Sequence, residues 1–355
     1  MSSPQIIFGS HQVGEASDEE LQRYVEILKK NNIKTIDTAK VYGESEKRLG
    51  DIEASKSFVV DTKSPSMISK PLSRDNLTTG IDESLALLKT KKVDVYYLHT
   101  PDDQTPIEET VDTIQELHRQ GKFARGIVPT VYQGNYNAFA RSIEQDLFPL
   151  LRELGLSSHA YSPLAGGLFA KNPSKLATST EAGRSDISNM SGHVYNALYN
   201  KPSVVEALRQ WQAIAKDIGD TSIGLAYRWI LYHSALDAKK GDAVIVGAGR
   251  PAQLEQTLEF SKGSKALEKD VVVEKIDVLW KLVEADAPRD NYNSWAKENL
   301  TAEAFAAVFT ERATLPIYEL NPAVGEGMAP SGGMPRALVA LALILIQLPC
   351  LSTFT

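Results

Sequence analysis

What most constrains this chain is an alternation. Short apolar or β-branched runs take turns with longer runs whose apolar residues recur at helical spacing. Strand-like runs are expected at Ile6–Phe8, Ile33–Ile36, Ser57–Thr62, Val93–Leu98, His159–Ser162 and Ala243–Val246. Between them, Asp18–Lys30 reads as a helix capped by Asp18, with Leu21, Tyr24, Val25 and Leu28 on one face. Ser73–Thr90 carries the stripe Leu77, Ile81, Leu85 and Leu88, and a third helix starts at Pro106 and stops at Gly121. Further helices are expected at Ser203–Asp217, Ser222–His233, Pro251–Phe260 and Leu267–Glu284. Strands alternating with helices of this length make a parallel sheet covered by helices.

The fold class is therefore α/β. The number of units suits a TIM-type (β/α)8 barrel better than a doubly wound sheet, and no Gly-x-Gly-x-x-Gly follows an early strand. With 355 residues, 43% of them hydrophobic, the chain can bury a large core. A net charge of −7 argues against nucleic acid or an anionic membrane as the main partner. The single cysteine, Cys350, allows no intrachain disulfide, and Met1–Phe8 has no secretory pattern, so a cytoplasmic location is expected.

The chemistry is expected at strand ends. Ile33–Ile36 runs into Asp37 and, five residues on, Tyr42; the next strand ends at Lys63 and the one after at His99. Singly, these are a turn carboxylate, a packing tyrosine, a solvated lysine and a structural histidine. At three consecutive strand ends they share one rim of a barrel, where that architecture places its active sites. Together they form a proton-donor site. A phenol, with a reference pKa of about 10, is a weak acid at neutral pH. An adjacent ammonium lowers that pKa, a carboxylate holds the ammonium, and an imidazole can orient a carbonyl oxygen. A metal-dependent hydrolase barrel fits poorly, because His99 has no histidine partner at ligand spacing; no metal site is expected.

Ile36-Asp37-Thr38-Ala39, Val41-Tyr42-Gly43, Thr62-Lys63 and Tyr97-Leu98-His99-Thr100-Pro101 resemble the aldo-keto reductases, and among them the aflatoxin-aldehyde-reductase-like branch. Pro129–Gly134 with Tyr136-Asn137, and Ala160–Leu168, extend the likeness, which runs from about Gln5 to Ala287. The resemblance implies an NADPH/NADP+-dependent reductase of aldehydes and ketones, acting on a small carbonyl substrate and forming a homodimer. It makes Tyr42 the general acid, tuned by Lys63 and His99, with Asp37 paired to Lys63. It also puts Tyr161 under the nicotinamide, Gln133 on its carboxamide, and Ser162, Leu164 and Gly166 in the turn around the pyrophosphate. The segment Val246–Gln256, with Gly247, Arg250 and Gln253, resembles the part that receives the adenosine 2′-phosphate; an arginine at a helix start suits a phosphate.

One departure is large. Relatives place a strand ending in Ser-Asn and then a helix before the strand corresponding to Ile127–Gln133. Here Lys122–Gly126 runs straight into it. About thirty residues, one strand–helix unit, are missing near residue 126, so an incomplete barrel is expected. That weakens the grip on the nicotinamide and leaves room for a second reading, a cofactor-binding regulatory subunit of the same fold with little or no turnover. Gly249 and Thr257 also replace polar residues of relatives, and Ala170–Lys201 reads as a long polar loop, a candidate lid. Two domains are expected, a barrel over 1–287 and an unrelated extension over 288–355. The extension holds a possible helix at Asn299–Phe309, a linker at Gly325–Pro335 and an apolar run at Ala337–Leu351, which is short for a membrane span.

Overall fold

The computed structural model describes residues 3–125, 129–178, 190–263, 266–267 and 270–291. The expected features at Asn299–Phe309, Gly325–Pro335 and Ala337–Leu351 lie outside these residues, as do Gly126, Ile127 and Val128 at the junction.

Among the described residues, seven parallel strands form one sheet: β1 (Gln5–Gly9), β2 (Thr35–Asp37), β3 (Val59–Lys63), β4 (Tyr96–Tyr97), β5 (Val131–Asn135), β6 (Ser157–Tyr161) and β7 (Ala243–Gly247). Their spatial order is β4-β3-β2-β1-β7-β6-β5, so β1 is central and β4 and β5 are the two ends. In a complete barrel another strand would join those ends. Part of it is present: Phe123 bridges Val93 in parallel, and the Ala124 and Arg125 N–H groups donate to Asp94. The chain next appears on the far side of the sheet, where the Thr130 carbonyl accepts from Ser157 beside β6. The start of one strand thus leads to the start of the next, as the sequence indicates.

The sheet nevertheless curls around a shared interior. Gln133 at the β5 edge donates to Asp37 on β2 across 2.9 Å, and the Tyr97 hydroxyl on β4 meets His159 Nδ1 on β6 at 2.9 Å. Both bonds span the open side of the wall.

Helices cover the outside. Helix α1 (Asp18–Lys30) begins at the residue expected to cap it: Ser17, one residue earlier, is the cap, exchanging bonds with Glu20 in a capping box. Its buried face is Leu21, Tyr24, Ile27 and Leu28, and the Tyr24 hydroxyl donates to the Ala248 carbonyl just after β7. Helices α2 (Ser45–Asp51), α3 (Arg74–Leu87) and α4 (Ile107–Arg119) follow β2, β3 and β4. Three of the helices that follow escape the sequence pattern. Helix α5 (Ile143–Leu154) carries Pro149 internally, which obscures its start-to-stop signature. The expected loop Ala170–Lys201 contains α6 (Pro173–Ala177) and α7 (Met190–Tyr199). Then come α8 (Pro202–Asp217), α9 (Ser222–Tyr232), α10 (Pro251–Gly263) and α11 (Asp270–Val283).

Beyond the expected boundary at residue 287 the chain stays on the barrel. Asn135 donates to the Pro288 carbonyl, Arg289 pairs with Asp146 at 2.8 Å, and Asn291 donates to the Ser162 hydroxyl. No helix among the described residues is long and apolar enough to cross a membrane.

Candidate active site

The ends of β2, β3 and β4 bring Asp37, Tyr42, Lys63 and His99 together. Register pairs Asp37 with Asp61, and strand alternation sends Asp37, Asp61 and Lys63 to the same interior face. Lys63 is 2% exposed. Its ammonium donates to Asp37 Oδ2 at 2.6 Å and to the Thr38 carbonyl at 2.7 Å. It also lies 4.8 Å from the centroid of the Tyr42 ring. His99 stands edge-on to that ring, with centroids 6.0 Å apart.

Buried hydroxyls brace this corner. Ser10 donates to the Asp37 carbonyl, and Ser45 bridges Ser10 and Thr38 at 3.0 Å each. Ser64 accepts the His99 N–H, and Ser66 lies 3.3 Å from His99 Nδ1. The wall behind Lys63 holds Glu46, which accepts from Thr62 at 2.6 Å. Sequence reading did not single out Ser10, Ser45, Glu46, Asp61 or Ser66; Asp61 alone had a signal, two positions before Lys63 on one strand face.

The electrostatics correct one expectation. Burial raises the Tyr42 pKa above the ordinary phenol value; Lys63 works against this, and Asp37 with it. The ammonium does act as expected, but desolvation is the larger effect. For Lys63 burial favours the neutral amine, yet Asp37 and the Tyr42 oxygen outweigh it and hold its pKa above that of an ordinary lysine. Burial, then the Lys63 charge, lowers His99 to about 3, so the imidazole is neutral at pH 7.

The residues expected to hold a cofactor lie on the other half of the rim. Tyr161, Ser162, Leu164 and Gly166 are half-buried along one turn after β6, and Gln133 is half-buried beside them. Ser162, Ala165, Gly166 and Gly167 all have positive φ, which curls the turn as a nest does. Asn137 donates to the Ser162 carbonyl and fixes where the turn begins. Tyr195 of α7 lies against Gly166, where any side chain would strike its ring. The Gln133 amide nitrogen donates to Asp37. After β7, Gly247 and Arg250 are exposed, and the Arg250 carbonyl accepts the Gln253 and Leu254 N–H groups at the start of α10. Gln253 in turn accepts the Gly249 N–H at 2.9 Å. No group of three or more His, Cys, Asp or Glu side chains able to hold a metal occurs among the described residues.

A parallel α/β barrel with a Lys–Asp pair, a phenol and a neutral imidazole at its C-terminal rim defines a class of oxidoreductase, and the comparisons agree. The chain belongs to the aldo/keto reductase family, whose pattern matches residues 5–127 and 124–280. The match falls in two pieces that meet at the junction, which is what a lost internal unit produces. An oxidoreductase of Leptosphaeria maculans, sirO, is 41% identical over 322 residues, covering 81% of this chain and 96% of its own. Aflatoxin B1 aldehyde reductase member 2 of Mus musculus is 32% identical, covering 71% and 78%. These relatives place the chain in the aflatoxin-aldehyde-reductase-like branch. A glycerol dehydrogenase of Gluconobacter oxydans shares the fold, with a TM-score of 0.61 at 22% identity, covering 77% of this chain and 90% of that one.

Proposed function

We propose that this protein reduces aldehydes and ketones to alcohols with NADPH, Tyr42 serving as the general acid. The observation that carries the reading is Lys63, buried and held between Asp37 and Thr38 with its charge directed at the Tyr42 phenol. The cofactor residues fit a dinucleotide. The positive-φ turn at Ser162–Gly167 can present backbone N–H groups to a pyrophosphate, and Tyr161 offers an aromatic face. Gln133, with its nitrogen on Asp37, has its carbonyl oxygen to accept from a carboxamide. Arg250, exposed beside Gly247 and Gln253 at the start of α10, is suited to the 2′-phosphate.

The bound nicotinamide supplies hydride. The chain's own residues do the rest. His99, neutral with Ser66 beside Nδ1, can donate from Nε2 to a carbonyl oxygen and orient it. Tyr42 then gives its proton to that oxygen as negative charge develops there. Lys63 stabilises the phenolate left behind, and Asp37 keeps Lys63 charged. The substrate class proposed is a small aldehyde or ketone, the assembly a homodimer, and the location cytoplasmic.

The open wall between β4 and β5 favours a second reading, a cofactor-binding regulatory subunit with little turnover. One experiment separates them. Purified protein is given NADPH and a panel of aldehydes, dicarbonyls included, while absorbance and cofactor fluorescence are followed. Oxidation of NADPH with at least one carbonyl is expected. Tight NADPH binding without turnover supports the regulatory reading, and no binding removes both.

A further inference from the structure

The chain leaving β1 turns at once against the loop that carries Tyr42. A short 3-10 turn, His11–Glu15, follows β1. Its base is fixed to the buried corner: the Ser10 N–H and hydroxyl both donate to the Asp37 carbonyl, at 2.9 and 3.0 Å, and the Ser45 hydroxyl donates to the Ser10 carbonyl at 3.0 Å. Val13 anchors the turn in the core. A Cβ on Gly14 would lie 3.0 Å from the Tyr42 carbonyl oxygen and from the Glu44 and Ser45 nitrogens, so here backbone rests on backbone. His11, the first residue of this turn, lies against the Tyr42 ring. The two ring centroids are 4.9 Å apart at an interplanar angle of 63°, closer than His99 at 6.0 Å. Gln12 Nε2 stands 3.0 Å from His11 Nδ1 and steadies the imidazole. Tyr42 lies between β2 and α2 and belongs to neither, so the direction of its ring is set by what packs on it. His11 is exposed and Tyr42 half-buried, so the imidazole covers part of the phenol ring from solvent.

We propose that His11 is a positioning residue for proton donation: its ring holds the Tyr42 ring in the donating orientation and shields part of it from water. The role rests on the reading of Tyr42 as the acid. An edge-on aromatic pair is strong enough to favour one ring orientation by about fivefold. The other groups that face Tyr42 are Lys63, Asp37, Tyr195 and His99, and a substitution at His11 leaves all of them in place. Burial is the largest influence on Tyr42 ionisation and raises its pKa. Uncovering part of the ring therefore moves that ionisation back toward an ordinary phenol's.

The test compares His11→Ala, which removes the ring, with His11→Phe, which keeps one. Because His11 is exposed, both variants are expected to fold. With an aldehyde that wild type reduces, His11→Ala should lower kcat by about fivefold while NADPH affinity stays the same. His11→Phe should recover most of the loss. A second readout needs no turnover: full-length protein with 13C at the tyrosine ζ carbon, the Tyr42 signal being assigned from Tyr42→Phe. The onset of Tyr42 ionisation should come at lower pH in His11→Ala than in wild type or His11→Phe. Superimposable curves for wild type and His11→Ala would overturn the proposal, as would a His11→Phe protein that matches His11→Ala in both measurements. Failure of wild type to oxidise NADPH would count against the reductase reading and leave the NMR comparison to decide on His11.

Discussion

The two halves of the rim are built to different standards. At the ends of β1 to β4 the chemistry is buried and cross-bonded: Ser10, Asp37, Thr38, Ser45 and Lys63 form one continuous set of hydrogen bonds. At the ends of β5 to β7 the cofactor residues are half-buried or exposed, and among the described residues no strand pairs with the outer edge of β5. Proton donation is therefore prearranged in the folded chain, while cofactor binding depends on turns and on residues held from one side. The lost unit falls where the two halves would meet, between β4 and β5. Gln133 shows the consequence, since it reaches over the gap to Asp37 and ties the two halves together.

The largest expected effect tests the stronger half. Tyr42→Phe removes the only proposed proton donor while keeping the ring against Lys63 and His99. Reductase turnover should fall by about a thousandfold, within the range for loss of a general acid, with NADPH affinity kept. The measurement is NADPH oxidation beside a fluorescence titration. Turnover near the wild-type rate would show that the buried corner is structural.

Next in size is a paired truncation. Lys63→Met leaves Asp37 buried without its counter-ion, and loss of one partner from a buried pair costs about 3–5 kcal/mol. Gln133→Ala removes one neutral-to-charged hydrogen bond at a half-buried position, a loss of about 1.5–3 kcal/mol at most. Urea melts of both variants compare the halves directly. If Gln133→Ala costs as much as Lys63→Met, the bond across the gap carries more of the barrel's stability than its exposure implies.

How much of this the sequence carries differs between the halves for a physical reason. Asp37, Lys63 and His99 end strands whose β-branched runs are local signals, and alternation alone sends Asp37 and Lys63 to one face. The cap of α1 was one residue out, because Ser17 with Glu20 outcompetes Asp18 as the cap. The Gln133–Asp37 and Tyr97–His159 bonds depend on how far a seven-stranded sheet curls, which no local pattern encodes. Helix α5 is hidden by Pro149, and α7 by a mixed composition that resembles loop. The Tyr42 pKa went the other way from expectation because depth of burial is a property of the fold and not of the neighbouring charge.

The smallest expected effect sets one histidine of each half against the other. Burial lowers His99 to about 3 and His159 to about 4, so both are neutral in the folded chain. Unfolded, each takes a proton near pH 6.5. A folded-state pKa below the unfolded one gives stability that is complete above about 6.5 and is lost as pH falls toward the folded value. The loss is about 1.4 kcal/mol per imidazole for each pH unit. Asp61 and Glu46 act in the opposite sense, since burial raises both carboxyls and protonation in the folded state then favours folding as pH falls. The wild-type curve therefore understates the histidines, and difference curves are needed. Between pH 6.5 and 4.5 the urea stability of wild type should fall relative to His159→Gln by close to one imidazole's share. His99→Gln should give a similar slope. A flat difference for His159 alone would mean that the open wall admits water to the Tyr97–His159 pair, and that the gap reaches the interior of the barrel.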